Sequence, residues 1–566
     1  MEMQHVHEGK LSAETTPREE GQQASKEPKR GGWITFPFIT GLSLSLSLSL
    51  LLLEFNVKSI AATKIYNVVL ACSCFFPVAG SIIADSFFGS FPVVATFAFV
   101  SLLGMIMATL TASIQSLRPP RCALIGSDTC EAPSNLQHAV LYMNLTLAPL
   151  GFGGTRFTIA TMGAEQFDKP KEQGTFFSWY YFALYIGNVI SCTAIIYVQD
   201  NVGWGLGFGI CAIVNAVGLV VLVLGKRFYR HVKPKGSPFI SIARVMVASI
   251  RKRKVSRASG SLDYYFGATP ENMLKLEDIG APTKSFRFLN RAALKTEGDR
   301  QLDGSYARSW RLCTMEEVED LKKLVRIIPI WSSGIFLGTP IGVFGSLTIL
   351  QALTMDRHLG PHFKIPASSF VVFNLLATSI SIFTIDNFLL PAWQNLIRRP
   401  LTPLQRIGIG HVINILAMVG SALIETGRLH VVRTHQLGGQ PGLVVPMSAL
   451  WLVLPLVIIG ISEGFHFPGT VTLYYQEFPK SLKSTSTAMV SLLIGIGLYL
   501  STTMIDLTDR MTGWLPDNIN DGRLDNVFWM MAVIGAVNFG YFLGCAKMFK
   551  YQRVEDHDEQ SSELAY

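Results

Sequence analysis

The sequence predicts an all-α membrane protein of twelve transmembrane helices in two six-helix halves. Three observations carry this reading. Hydrophobic residues fill 49% of the 566 positions and charged residues only 16%, against roughly 25% charged in soluble globular proteins. Apolar runs of about 20 residues, enough to cross ~30 Å of hydrocarbon as a helix, recur along the whole chain. A single long polar segment, 226–323, divides those runs six and six.

The elements follow in order. Residues 1–30 are polar and of mixed charge, lack the apolar core of a cleavable signal peptide, and read as a disordered tail. The N-terminal half, 31–225, holds spans at 33–53, 60–84, 92–115, 138–162, 175–197 and 204–225. The C-terminal half, 324–550, holds spans at 324–350, 366–390, 407–426, 447–474, 485–508 and 525–549, followed by a tail at 551–566. The first span contains "GLSLSLSLSLLLL", Gly41–Leu53, which alternates like a half-buried strand. In lipid a lone segment must satisfy its own backbone hydrogen bonds, so the helix prevails over the period of two. At helical angles Ser43, Ser45, Ser47 and Ser49 scatter around the circumference and line no single face. Two six-span halves joined by a linker resemble the outline of a major facilitator transporter, whose substrate site lies near the midplane between the halves.

Charge sets the expected orientation. From Lys226 to Lys323 there are 21 Lys and Arg against 11 Asp and Glu, an excess of ten in a chain of net charge +8. Such a basic segment can mark nucleic-acid binding, but between membrane spans it follows the positive-inside bias, and no nucleic-acid partner is expected. The linker, "RRPLTPLQR" (Arg398–Arg406), "KSLK" (Lys480–Lys483) and both termini are therefore expected in the cytoplasm. The loop with Cys122 and Cys130 then faces the oxidising side, where the two are candidates for a disulfide; neither has the partners of a zinc site. Cys72, Cys74, Cys192, Cys211 and Cys545 fall in apolar spans as small hydrophobes. Within the linker, "FISIARVMVASIRKRK" (Phe239–Lys254) reads as an amphipathic helix on the anionic inner leaflet, with partner binding as its rival. Ser256, next to the basic cluster, is a candidate target for a kinase acting on this loop.

Longer motifs narrow the class. "GSIIADSFFG" (Gly80–Gly89), "GFGGTRFTIATMGAEQFD" (Gly151–Asp168), "KSFRFLNRAAL", "WRLCTMEEVEDLKKLVRIIPIW", "LTPLQRIGIG", "YQEFPKSLKSTSTA" and "GWLPDNINDGRLDN" resemble signatures of the plant nitrate/peptide transporter family, relatives of the proton-coupled oligopeptide transporters. The resemblance runs from Gly31 to Tyr551. "GGWITFPF", "EFNVKSIAA", "GGTRFT" and "EAPSN" are most similar to its nitrate-excretion branch, which moves nitrate outward across the root plasma membrane and has relatives that handle chloride. The resemblance implies a transporter of nitrate or a similar small anion, with no cofactor, in the plasma membrane or, as the alternative, the vacuolar membrane. A chloride or organic-anion carrier and a non-transporting nitrate sensor are the rival readings. The sequence shows no nucleophile–base set and no metal-ligand spacing, so an enzyme is not expected.

Departures from the family pattern shape the expected mechanism. The family's first-helix Glu-x-x-Glu-Arg cluster, implicated in proton coupling, is missing, because no ionisable residue lies between Trp33 and Leu53. The fifth-helix Asn-x-Gly motif reads Tyr185-Ile186-Gly187, and no histidine occurs in 331–352, where a relative binds nitrate. Standard proton coupling and histidine-based nitrate binding therefore do not carry over. An inside-negative potential already drives anions outward by about 2.3 kcal/mol per charge per 100 mV, so outward flux does not strictly need protons.

Ionisable groups within spans are functional candidates, because an unpaired charge in lipid is costly. Arg156 stands where the family usually has a lysine facing first-helix carboxylates; without them, its planar guanidinium is expected to bind substrate, or else to act as a strut to Glu463. Glu463 matches the family's tenth-helix Glu and, with Tyr185, joins the expected substrate-binding set. His466, three residues on and so on the same helix face, shares with Glu463 the candidacy for a coupled proton, against a purely structural role. Asp85 is expected to cap and lock the inner gate, while Lys64 and Asp386, near span ends, can snorkel. Gly151–Gly154 has no preceding strand, which excludes a phosphate loop and favours close helix packing. The sequon at Asn144 falls inside a span and is expected to be unglycosylated.

Overall fold

The computed structural model describes residues 32–35, 73–117, 134–231, 237–255, 264–266, 283, 285–296, 299, 310–361, 363–438, 444–516 and 518–549. The Ser-Leu run of the first span, Lys64, Cys72, the Cys122–Cys130 loop and Ser256 lie outside these residues. Eleven helices stand at the positions of the second to twelfth expected spans. In the N-terminal half they are α1 (Ser73–Phe88), α2 (Ser90–Ser113), α3 (Asn135–Ala164), α4 (Pro170–Ile190) and α5 (Trp204–Leu224). A linker helix, α6 (Pro238–Arg251), precedes α7 (Met315–Thr354), α8 (Val371–Ile397), α9 (Pro403–Thr434), α10 (Val453–Glu477), α11 (Lys483–Thr512) and α12 (Leu524–Met548). Nine described helices are long and apolar enough to cross a membrane. Two short pairings, β1 (Met355–Asp356) with β4 (Val445–Ser448) and β2 (His358–Leu359) with β3 (Phe363–Lys364), lie at the end of the bundle away from the linker.

Local signals explain several helix starts. Ser134, Thr314 and Thr402 each open a helix with a reciprocal capping box, accepting from the N–H of Gln137, Glu317 and Gln405. Pro403 fits the first turn of α9, where its missing N–H has no partner to lose. Helix α7 has 40 residues, about 60 Å at 1.5 Å per residue, and so projects well beyond the expected span 324–350. Its first turns, Met315–Lys323, carry most of the extra charge.

Within the N-terminal half α2 packs on α3 and α5; within the C-terminal half α10 packs on α8 and α9, α12 on α9, and α7 on α11. The glycines of α3 permit the first of these contacts. A Cβ on Gly151 would stand 2.2 Å from the Ser101 backbone nitrogen, and one on Gly154 would stand 2.3 Å from the Phe97 ring. Asn144 is buried and donates to the Thr111 hydroxyl at 2.9 Å, so the sequon is part of the α2–α3 packing. The halves meet where α4 lies on α8 and α10 and where α3 lies on α11. Aromatic rings fill the linker end of that seam: Phe177 meets Tyr475 edge-on at 5.2 Å, and Tyr181 stacks on Phe467 at 6.2 Å.

Two expectations about charge need correction. Helix α9 runs two turns past the expected span, and Arg428 in that extension forms a fully buried pair with Glu425 at the span's edge. Arg428 reaches both Glu425 oxygens, at 2.6 and 2.8 Å, and also bonds Thr354, Asn520 and the Ile519 carbonyl, while Gln351 donates to Glu425 at 2.6 Å. Asp386 does not snorkel. It pairs with Arg406 of α9 at 3.1 Å, and Arg406 also donates to the Gly464 carbonyl.

The Glu425–Arg428 network ties α7, α9 and the segment before α12, which implies a structural role. Arg428→Met should destabilise the protein by about 3–5 kcal/mol, because it leaves a buried carboxylate unpaired. Glu425→Gln/Arg428→Met should recover much of the loss. Denaturation midpoints of the detergent-solubilised protein would test this, and an unchanged midpoint in the single variant would remove the tie.

Candidate functional site

The site is built at two levels along the seam between the halves. At the linker end, Asp85 in the last turn of α1 reaches across to the start of α11. Its carboxylate accepts from the Ser484 N–H at 3.1 Å, the Thr485 N–H at 2.7 Å and the Thr485 hydroxyl at 2.7 Å. Those N–H groups belong to the first turn of α11 and have no partner within their own helix, so a carboxylate there satisfies them and complements the helix dipole. Further bonds close the seam beside it. The Thr161 and Thr487 hydroxyls lie 2.7 Å apart, Thr487 donates to the Phe157 carbonyl at 3.1 Å, and Ser491 donates to the Cys74 carbonyl at 2.9 Å. Gln476 at the end of α10 donates to the Pro170 carbonyl that opens α4, at 3.0 Å.

Deeper in the bundle, Glu463 of α10 is buried and accepts three hydrogen bonds from neutral donors. The Tyr185 hydroxyl of α4 donates at 3.0 Å, the Thr378 hydroxyl at 3.1 Å and Asn374 Nδ2 at 3.3 Å. The bond to Tyr185 crosses from one half to the other. Asn374 and Thr378, one turn apart on α8, escaped the sequence reading because neither is ionisable. Their i, i+4 spacing was the available signal.

Arg156 of α3 is half-buried. Its guanidinium carbon lies 5.5 Å from the Phe157 ring centroid and 5.7 Å from that of Phe152. Tyr180 of α4 donates to the Arg156 carbonyl at 2.5 Å, which fixes α3 against α4 at this point. Among the described residues Arg156 forms no ion pair, so the expected strut to Glu463 is absent in this conformation. Glu463 instead fills its lone pairs with hydroxyl and amide donors.

Glu463 and His466 do not act on one face. Three residues of α10 turn the two side chains toward different neighbours: Glu463 faces α4 and α8, whereas His466 faces α9. The His466 ring packs 6.1 Å from that of His411, and its Nδ1 lies 3.3 Å from the Thr470 hydroxyl. His411, which the sequence reading did not single out, stacks on Phe542 of α12 at 4.7 Å. These histidines belong to the packing of the C-terminal half, away from the seam.

The two halves thus meet through a hydrogen-bonded closure at one end, and deeper in the described residues place Glu463, Tyr185 and the cation of Arg156 near the seam. Residues 91–520 match the model of the POT family. The chain belongs to the POT family. It is 49% identical over 550 residues to "Protein NRT1/ PTR FAMILY 2.7" and 48% identical over 554 residues to "Protein NRT1/ PTR FAMILY 2.6", both from Arabidopsis thaliana. Those alignments cover 95% and 96% of this chain and 96% and 97% of the relatives. An auto-inhibited POT family peptide transporter shares the fold, with a TM-score of 0.59, 18% identity, and coverage of 92% of this chain and 98% of that one. A POT family transporter in complex with 5-aminolevulinic acid matches with a TM-score of 0.57 at 15% identity, covering 92% and 99%. This POT-family chain is therefore a multi-pass membrane transporter and not an enzyme.

In this transporter Asp85 accepts three of the four hydrogen bonds described between α1 and α11, so its removal should loosen the linker end. Asp85→Ala should make an engineered Thr487→Cys several-fold faster to label with a water-soluble thiol reagent. Asp85→Asn, which keeps an acceptor oxygen, should fall between. Equal labelling rates in all three proteins would show that the aromatic seam alone keeps this end closed.

Proposed function

We propose that this POT-family protein carries nitrate, or another small inorganic anion such as chloride, by rocking its two halves around Arg156, Tyr185 and Glu463. The observation that carries the proposal is the unequal treatment of the two charges near the seam. Glu463 has three neutral donors, whereas among the described residues the Arg156 guanidinium has only aromatic rings beside it. A guanidinium offers two parallel N–H groups, which suit the paired oxygens of a planar oxyanion better than a point charge would. The first span supplies no carboxylate to neutralise it.

In this reading the anion binds at Arg156 and Tyr185 responds to its arrival. The phenol links the halves at the depth of Glu463, and it can donate either to Glu463 or to an incoming anion, not to both at once. Asp85 is the gate residue: its bonds to α11 must break before the linker end can open. Glu463 is the group placed to exchange partners at the seam; His466, turned toward α9, is assigned a structural role. Nitrate efflux across a plant plasma membrane is the physiological setting proposed, with the linker on the cytoplasmic side. The membrane potential supplies the driving force.

Two experiments test this reading. In proteoliposomes an imposed voltage should drive nitrate flux at equal pH on both sides; flux that demands a pH gradient at fixed voltage would count against it. Arg156→Gln should lower nitrate transport by roughly tenfold or more, which corresponds to ~1.4 kcal/mol of lost charge-assisted binding. Arg156→Lys should retain part of the activity, because charge survives while the fork is lost. Chloride measured in parallel ranks the two anions. Recovery of transport in Arg156→Gln/Glu463→Gln would instead mark Arg156 as a transient strut and remove it from the anion site.

A further inference from the structure

Helix α6 of the linker is apolar on two sides. One side is covered by protein: Val245 and Ala248 pack with Leu289, Ala292, Ala293, Met315, Val318 and Leu321 in a small core between the linker and the start of α7. The expected apolar face is thus used inside the protein and not against lipid. The opposite side carries Ile240, Ala243, Met246, Val247 and Ile250, which share one arc at helical spacing. Ile240, Met246 and Ile250 are 50%, 45% and 63% exposed. A linker helix standing in water would place polar residues there.

The charges around this outward face sort in the same way. Arg244 pairs with Glu317 at 3.6 Å, and Lys252 is buried against Asp299 and the Leu294 carbonyl, at 2.6 Å each. Arg251, Arg253 and Lys254 are exposed at the C-terminal end of the helix, and among the described residues none of them pairs with a carboxylate. Arg251 has one further contact, a 3.3 Å bond to the Trp310 carbonyl.

Position decides what meets this surface. The α7 residues under α6, Met315 to Leu321, precede the start of the apolar span at Leu324 by three to nine residues. At 1.5 Å per residue they lie about 5–14 Å beyond the hydrocarbon edge, from within the roughly 5–7 Å headgroup layer to just outside it. At the other end of α6, the Ser237 hydroxyl stands 3.4 Å from that of Ser86 in the last turn of α1. The helix is held at the level of the membrane surface from both halves.

We propose that α6 is a lipid-binding element: its outward face sits at the headgroup–acyl boundary of the leaflet on the linker side, and Arg251, Arg253 and Lys254 bind acidic phospholipid headgroups. Apolar insertion and charge attraction together favour this placement over either acting alone. The bolts to α7 and the contact with α1, one residue from the gate carboxylate Asp85, connect lipid engagement to the end of the bundle that must open. The proposal does not depend on which anion the protein carries.

The test uses the full chain in vesicles, with an environment-sensitive fluorescent amino acid encoded in place of Met246, Ile250 or, as a water-facing control on α7, Glu316. Brominated phosphatidylcholine should quench positions 246 and 250 several-fold more than position 316. Adding phosphatidylglycerol should strengthen that quenching. The variant Arg251→Gln/Arg253→Gln/Lys254→Gln, altered only at exposed side chains, should lose the phosphatidylglycerol effect while keeping the thermal midpoint of the parent. About fivefold of the bilayer-docked population is expected to be lost per charge removed. Quenching at 246 and 250 by aqueous iodide and not by bromolipid would overturn the proposal. So would protection from both quenchers, which would mean that protein covers the face. A response to bromolipid that ignores phosphatidylglycerol and the triple variant would overturn the headgroup assignment.

Discussion

The seating of the Asp85 carboxylate on the first turn of α11 fixes where the two halves touch. Helix N-termini leave N–H groups without partners, and an anion satisfies them at the positive end of the helix dipole. Here the anion comes from the other half of the molecule, so a bond that ordinarily caps a helix becomes a bond between bodies. With that end fixed, the hydroxyls of Thr161 and Thr487 can meet, the rings of α4 can stack on those of α10, and Tyr185 can reach Glu463. The seam combines these hydrogen bonds and ring contacts with an apolar cluster shared by both halves, in which Phe177, Tyr181 and Leu184 join Phe467, Val471 and Tyr475.

The buried charges divide according to where they lie. Within the C-terminal half, Arg428 and Glu425 satisfy each other bidentately, and Arg406 is matched by Asp386. These pairs leave nothing for a ligand to do. Near the seam the pattern changes. Among the described residues, Glu463 is bonded but not charge-compensated, and Arg156 is packed against rings but not bonded through its guanidinium. These structural pairs hold the C-terminal half together and involve neither Glu463 nor Arg156, which leaves these two groups available for changes of partner.

Much of this was legible in the sequence, because the membrane simplifies the problem. Span positions and the long linker follow from hydropathy, and the capping boxes, not read in advance, had their signal in serine or threonine three residues before glutamine or glutamate. The packing role of Gly151 and Gly154 was legible too, since a run of small residues on a span has few other uses. What could not be read was azimuth. Glu463 and His466 share a face by spacing, yet the neighbours of α10 differ enough around its circumference that a turn of about 60° sends one to the seam and the other into α9. Nor could the sequence tell that the apolar face of α6 would be consumed by Val318 and Leu321, or that α9 would extend far enough to bury Arg428 against Glu425. Each depends on which helix lies alongside, a property of tertiary packing that no local pattern encodes.

On the proposed reading, the loss of first-helix carboxylates changes how binding is coupled to motion. A carrier must occlude its site to turn over, and an uncompensated guanidinium in a closed, poorly hydrated space is costly. With an anion bound at Arg156 that charge is neutralised and closure becomes easier. The empty carrier faces the opposite problem, since it must return with the cation alone. Glu463 offers the remedy: if it leaves Tyr185, Asn374 and Thr378, it can pair with Arg156 and neutralise it from within. Its three bonds are all to neutral groups, each worth about 0.5–1.5 kcal/mol net, or 1.5–3 where charge assists, so a fixed cation in a closing site competes with them on comparable terms. The substrate and the glutamate are then rivals for one guanidinium.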